Sequence, residues 1–245
     1  MSAGEVLPRV VGHRGARALA PENTLAGIRV AARHGAPWVE VDVKLSADAH
    51  PILMHDDTLE RTTDGRGPVA GATWAAIAEL DAGGWCSEEF RAERVPDLEQ
   101  ALALLAQLGM GANLEIKPCE GHETLTGAVV ADTTLRLWRA HVPRPVLSSF
   151  SEEALAAARD TAPGLLRGLL VTDVPPDWRE RMLRLDCVSL HVGQRQLERA
   201  IVETIKAAGV PLMAYTVNEP ARARELWSWG VDCVATDRPD LVTAG

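Results

Sequence analysis

The chain reads as an α/β protein built on a (β/α)8 barrel, a TIM barrel, with a small insertion after the second strand. Three observations predict it. Eight short β-branched runs alternate with alanine- and leucine-rich helical stretches, which implies a parallel sheet. Eight such pairs fill 245 residues, close to the size of a closed barrel. A doubly wound open sheet, the other arrangement of the same elements, is disfavoured because no GxGxxG or GxxxxGK[ST] follows the first strand.

The strands are expected at "RVVGH" (9–13), "WVEVDV" (38–43), "ANLEIK" (112–117), "PVLSS" (145–149), "RGLLV" (167–171), "CVSLH" (187–191), "PLMAYTV" (211–217) and "VDCVAT" (231–236). Helical patterns lie between them, among others at 23–35, 98–109, 151–162 and 197–209. Asn23 or Ser151 starts such a pattern, and Gly35, Gly109 or Gly209 follows its end. The run "PILMHD" follows the second strand too soon for a crossover helix, so it is expected to fold back as an antiparallel hairpin. It opens an insertion at about 50–97 within one domain spanning 1–245.

The second strand carries the first chemical signal. Side chains two apart on a strand share a face, so Glu40 and Asp42 point one way and Val39, Val41 and Val43 the other. "NLEIK" repeats the pattern, with Asn113, Glu115 and Lys117 opposite Leu114 and Ile116. In the first strand His13 shares a face with Val11, and Arg14 follows at the rim. The hairpin carries His55 back over the mouth towards Glu40 and Asp42. Any one of these residues alone reads as a solvated side chain or half of an ion pair. Three carboxylates in a poorly solvated barrel would repel unless a cation sits among them. All-oxygen ligation suits Mg²⁺ or Ca²⁺. With a divalent ion, Arg14 and Lys117, positive charge exceeds the three carboxylates by one, so the site suits a ligand with one negative charge.

Lysine usage sharpens the reading. Three lysines stand against 22 arginines, so Lys117 is read as a compact ammonium chosen over a planar fork. Lys44 is read as a solvated strand end. His34, His50, His122 and His141 lie in helix-end or loop contexts, and His191 points to the mouth. Phe150, His191 and Tyr215 are taken as pocket lining.

Composition excludes other classes. A net charge of −9 argues against nucleic acid or an anionic membrane as the main partner. No apolar run reaches the roughly 18–20 residues of a membrane span. The N-terminus lacks a signal-peptide pattern, and four scattered cysteines have no metal spacing, so a reduced cytoplasmic protein is expected.

The segments "GHRGARALAPENT", "VEVDVKLSADAHPILMHDDTLERTTDGRG", "VPDLEQAL", "LEIKP" and "AYTVN…GVDCVATDRPD" resemble the glycerophosphodiester phosphodiesterase family, in order along nearly the whole chain. That resemblance implies one divalent cation on Glu40, Asp42 and Glu115, and acid/base histidines at His13 and His55. It also implies glycerophosphodiester substrates, deacylated phospholipids cut to glycerol 3-phosphate and an alcohol. The implied nucleophile is the neighbouring glycerol hydroxyl, acting through a cyclic phosphate; direct attack by water is the alternative. Tyr215 stands where the family usually has Trp, and "VPDL" replaces Pro-Thr-Leu. A lipid-surface phosphodiesterase and a non-catalytic phosphate-binding barrel are the competing readings. The first needs an apolar rim, and the second has no use for two proton shuttles.

Overall fold

The computed structural model describes residues 6–243. Eight parallel strands close a barrel: β1 (Val10–Gly12), β2 (Trp38–Leu45), β4 (Gly111–Ile116), β5 (Val146–Ser149), β6 (Leu166–Val171), β7 (Ser189–Gly193), β8 (Leu212–Tyr215) and β9 (Cys233–Thr236), with β9 pairing back to β1. The ninth strand, β3 (Pro51–Leu53), lies outside this ring. It pairs antiparallel with the end of β2, Val43 opposite Leu53 and Leu45 opposite Pro51, as the missing crossover helix required.

Helices α1 (Leu25–Arg33), α3 (Leu98–Leu108), α4 (Glu123–Leu137), α5 (Glu152–Thr161), α6 (Trp178–Leu185), α7 (Arg199–Ala207) and α8 (Pro220–Trp229) surround the sheet, and α2 (Trp74–Ile77) belongs to the insertion. Val39, Val41, Val43, Leu114 and Ile116 pack in one buried cluster with Ile28, Leu98, Leu102 and Leu105 of the outer helices. The alternation along β2 and β4 therefore directs Val39, Val41, Val43, Leu114 and Ile116 outwards and leaves the inner face, above Trp38, to Glu40, Asp42, Asn113 and Glu115. Deep in the barrel Val11, Trp38, Val146, Leu166 and Met213 form a separate apolar plug. Gly111 is required there, because a Cβ would lie 2.2 Å from the Trp38 ring. The insertion has a small core of its own, with Ile52, Met54, Leu59, Val69, Ile77 and Val95. That core anchors β3 and the residues after it.

Two helix signals behave as expected and one does not. Ser151 caps α5 through Ala154 N, and Gly109 ends α3 at φ 67°, a conformation glycine adopts without a side-chain clash. The cap of α1 is Thr24, which accepts from Gly27 N, and not Asn23. Asn23 is taken by the site instead.

Lys44 is a correction as well. It is 1% exposed, and its Nζ donates to Asp57 Oδ1 at 2.6 Å. Strand periodicity puts it on the face of Glu40 and Asp42, and the insertion closes over it. His191 does not reach the mouth. It is 0% exposed, with Nε2 2.9 Å from Ser189 Oγ. Burial alone lowers its pKa to about 3, so it is a neutral side chain inside the barrel rather than pocket lining.

Candidate active site

Glu40, Asp42 and Glu115 converge at the carboxyl ends of β2 and β4, where Asp42 and Glu115 are cross-strand partners. They are 4%, 1% and 9% exposed. One carboxylate oxygen from each lies within 4.8 Å of the other two. Burial, then the charges of Asp42 and Glu115, lift the Glu40 carboxyl well above its ordinary range. Burial and Asp42 raise Glu115 to about 7, despite Lys117. Glu40 Oε1 is buried with no hydrogen-bond donor. A buried anionic oxygen without a donor costs roughly 1–3 kcal/mol or more, and a cation removes that cost. The donor set therefore fits a hard divalent ion bound by oxygen.

Lys117 and Arg14 flank the carboxylates as expected. Lys117 Nζ lies 2.8 Å from Glu115 Oε1 and 3.5 Å from Asp42 Oδ1, with the Phe150 ring 5.8 Å away. Arg14 N donates to Glu40 Oε2 at 2.9 Å, and its Nε lies 3.3 Å from Asp42 Oδ2. Burial opposes the Arg14 charge, but Asp42, Glu22 and Glu40 outweigh it and raise its pKa. Arg14 adopts a left-handed φ of 49°, which turns its amide towards Glu40. Strain of this kind persists only where surrounding contacts hold it. Gly15 follows at φ +85°, where a Cβ would meet Gly27 C at 2.7 Å.

Each histidine is paired with an aspartate. His13 Nδ1 is 2.7 Å from Asp237 Oδ1, and its Nε2 faces Glu40 Oε2 at 3.9 Å. The hairpin delivers His55: Met54 N donates to Asp42 O at 3.1 Å, and His55 Nδ1 lies 2.6 Å from Asp56 Oδ1. Burial, together with Arg14 and Lys117, lowers the pKa of His55 against the pull of Asp42 and Asp56. Phe150 and Tyr215 meet edge to face at 6.2 Å, and the Tyr215 hydroxyl donates to Val171 O.

Several residues that build the site carried no role in the sequence reading. Glu22 accepts from Arg14 Nη1 at 2.7 Å, from Arg61 Nη1 and Nη2 at 2.8 Å each, and from Arg17 Nε at 3.1 Å. These contacts overcome its burial and hold its carboxyl at about 2. Arg61 also donates to both oxygens of Asp56, at 2.5 and 2.9 Å, so one guanidinium links Glu22 to the partner of His55. Asn23, at φ 55°, donates to Asp42 Oδ2 at 2.8 Å and accepts from Asp42 N at 3.0 Å. Asn218 donates to Asp237 Oδ2 at 2.8 Å. Glu22, Asn23, Arg61, Asn218 and Asp237 all lie in loops, where no periodicity points to them. Their only signal was membership of the quoted "PENT", "HDDTLER", "TVN" and "TDRPD" segments.

An eight-stranded parallel barrel whose carboxyl end gathers three carboxylates, two aspartate-paired histidines and fixed cations is the framework of a hydrolase for an anionic ester. Comparison with known proteins narrows the class. Residues 13–241 match the glycerophosphoryl diester phosphodiesterase family, and the chain belongs to that family. A glycerophosphodiester phosphodiesterase of Caldanaerobacter subterraneus is 33% identical over 235 residues, 95% of each chain. The structure of an Oleispira antarctica phosphodiesterase in complex with the product sn-glycerol-3-phosphate is similar at a TM-score of 0.95 and 41% identity, covering 99% of this chain and 98% of the other. A glycerophosphodiester phosphodiesterase from Agrobacterium tumefaciens matches at a TM-score of 0.82 and 33% identity, over 98% and 100% of the two chains. The chain is thus an enzyme of the phosphoric diester hydrolase class.

Proposed function

We propose that the protein hydrolyses soluble glycerophosphodiesters to glycerol 3-phosphate and an alcohol, with one divalent cation, Mg²⁺ or Ca²⁺, held by Glu40, Asp42 and Glu115. The observation that carries this reading is the orphaned oxygen of Glu40 inside a cluster of three buried carboxylates, beside two histidines that each have an aspartate on Nδ1. Bound there, the cation supplies Lewis-acid stabilisation of charge developing on the phosphoryl oxygens.

The chain's own residues supply the rest. His13 and His55 are the catalytic pair. With Nδ1 engaged by Asp237 or Asp56, each imidazole presents Nε2 as its working atom. The depressed pKa of His55 suits a base that takes the proton from the attacking oxygen, the glycerol hydroxyl or water, while His13 gives a proton to the leaving alkoxide as its P–O bond breaks. Where the hydroxyl attacks, water then opens the cyclic phosphate to glycerol 3-phosphate. Each transfer is worth about 10²–10⁴-fold. Arg14 and Lys117 bind the phosphate, Lys117 as a compact charge. Asp56, Asp237 and Arg61 are positioning residues acting through the histidines.

The neighbouring side chains revise the charge balance. Glu22, Asp56 and Asp237 add negative charge to the three cluster carboxylates, and Arg17 and Arg61 add positive charge to Arg14 and Lys117. With a divalent cation present this set is neutral. The excess positive charge that matches a phosphodiester then comes from one protonated histidine, which is the state the acid must have to act.

Four free cysteines support a reducing, cytoplasmic setting. No helix among the described residues is long and apolar enough to cross a membrane. The test is release of glycerol 3-phosphate from glycerophosphocholine, glycerophosphoethanolamine and glycerophosphoglycerol, with and without EDTA, set against intact lipid vesicles. Turnover of the soluble diesters that EDTA abolishes is expected. Full activity in excess EDTA, or activity on vesicles alone, overturns the reading.

A further inference from the structure

The mouth of the barrel continues into a cavity of about 530 Å³ on the β7–β9 side, lined among others by Arg17, Thr172, Gln194, Arg195, Tyr215 and Asp237. It adjoins the chemistry directly, because Asp237 is the partner of His13 Nδ1. A group occupying it lies next to the proposed acid, on the leaving-group side. From the charge of this cavity we infer that the enzyme favours leaving alcohols rich in hydroxyls or bearing an anion, and selects against quaternary ammonium head groups. The inference rests on the phosphodiesterase reading above.

Two guanidinium groups face the cavity. Arg195, on the short turn after β7, is exposed and makes no ion pair among the described residues. Arg17 is shared between Glu22 at 3.1 Å and Asp237 at 3.6 Å. Among the described lining residues one carboxylate, Asp237, is present, and it is already committed, with Oδ1 on His13 and Oδ2 on Asn218. Asp173 is exposed beyond the wall, though its charge is felt at Tyr215. Gln194 accepts from Arg222 through Oε1 at 3.1 Å, which leaves its amide hydrogens as donors. The wall is therefore dominated by donors, a surface that suits alcohol and carboxylate or phosphate oxygens.

A trimethylammonium group needs the opposite surroundings: aromatic faces around the charge, or free carboxylates. Among the described residues the lining has one aromatic side chain, Tyr215, which does not make a cage. Tyr215 is tied by its hydroxyl to Val171 O and meets Phe150 edge-on. The Phe150 ring already lies under the ammonium of Lys117, 5.8 Å from its centroid.

The experiment compares kcat/KM for glycerophosphoglycerol, glycerophosphoinositol and glycerophosphocholine in wild type, Arg195→Glu and Arg195→Lys. Arg195 is exposed, so these variants are expected to fold. Wild type should prefer the two polyol substrates. Arg195→Glu should move the ratio about fivefold or more towards choline, the size of two exposed charge interactions. Arg195→Lys should keep the wild-type order, and about 0.5 M salt should compress the difference. A wild-type preference for choline, or an Arg195→Glu effect that is nil or equal on all three substrates, overturns the inference. The last outcome would mean that the cavity holds the part common to every substrate. Absence of turnover by wild type on all three would instead refute the phosphodiesterase reading beneath it.

Discussion

Replacing Glu115 by glutamine tests whether the acidic cluster is built around a cation. Without metal, burial and the nearby Asp42 raise the Glu115 carboxyl from 4.5 to about 7. In the unfolded chain it titrates near its ordinary value, so between these two values the folded protein binds the extra proton. Stability therefore falls as pH rises through that window. Below it, both states are protonated and the group costs nothing. Above it the penalty is complete, about 3 kcal/mol at about 1.4 kcal/mol per pH unit. Glu115→Gln cannot ionise. In EDTA it should match wild type near pH 4.5 and exceed it by about 3 kcal/mol at pH 8. At about 2–4 °C per kcal/mol for a chain of this size, the variant should melt about 6–12 °C higher. Mg²⁺ or Ca²⁺ at about 1,000 times its Kd should reverse the order, since it adds about 4.1 kcal/mol to wild type, more than the penalty of about 3 kcal/mol, and the variant has lost a charged ligand. The assay is a set of thermal melts at pH 5, 6.5 and 8, with EDTA and with each metal. Parallel pH profiles for wild type and variant in EDTA would refute the reasoning.

Lys117→Arg should lose activity nearly as badly as Lys117→Ala, because a planar fork does not fit between Glu115, Asp42 and the Phe150 ring; near wild-type kcat/KM in Lys117→Arg would reduce the residue to charge balance. On a p-nitrophenyl phosphodiester of glycerol, whose leaving group hardly needs a proton, His13→Ala should recover much of the rate it loses on glycerophosphocholine, and His55→Ala should not. Recovery of His55→Ala alone would exchange the two roles. Asp57→Ala should cost about 2–3 kcal/mol in a urea melt, since it strands the buried Lys44 ammonium. Lys44→Met should cost less, because the exposed Asp57 regains water; the reverse order would show that Lys44 is stabilised by groups other than Asp57.

Residue order along the strands determined a great deal by itself. Period-two alternation in "WVEVDV" and "NLEIK" is enough to put valine, leucine and isoleucine outside and Glu40, Asp42 and Glu115 inside. Burying the apolar set against helices leaves the carboxylates nowhere else to point. The short spacing from β2 to "PILMHD" likewise dictates a hairpin, and the hairpin brings His55 to Asp42. Lys44 lies on the same inner face, but whether it meets water depends on an insertion folding over it, which no local pattern encodes. His191 obeys its strand alternation too, yet its depth in the barrel, and hence its exclusion from the mouth, follows from how the barrel closes. Glu22, Asn23, Arg61, Asn218 and Asp237 were chosen by tertiary structure alone. They sit in loops, where no repeating backbone geometry links position to direction, and their partners lie as far as 224 residues away along the chain, as His13 and Asp237 do. Which guanidinium satisfies which carboxylate, and which histidine each aspartate orients, is decided only when those loops meet at one end of the barrel.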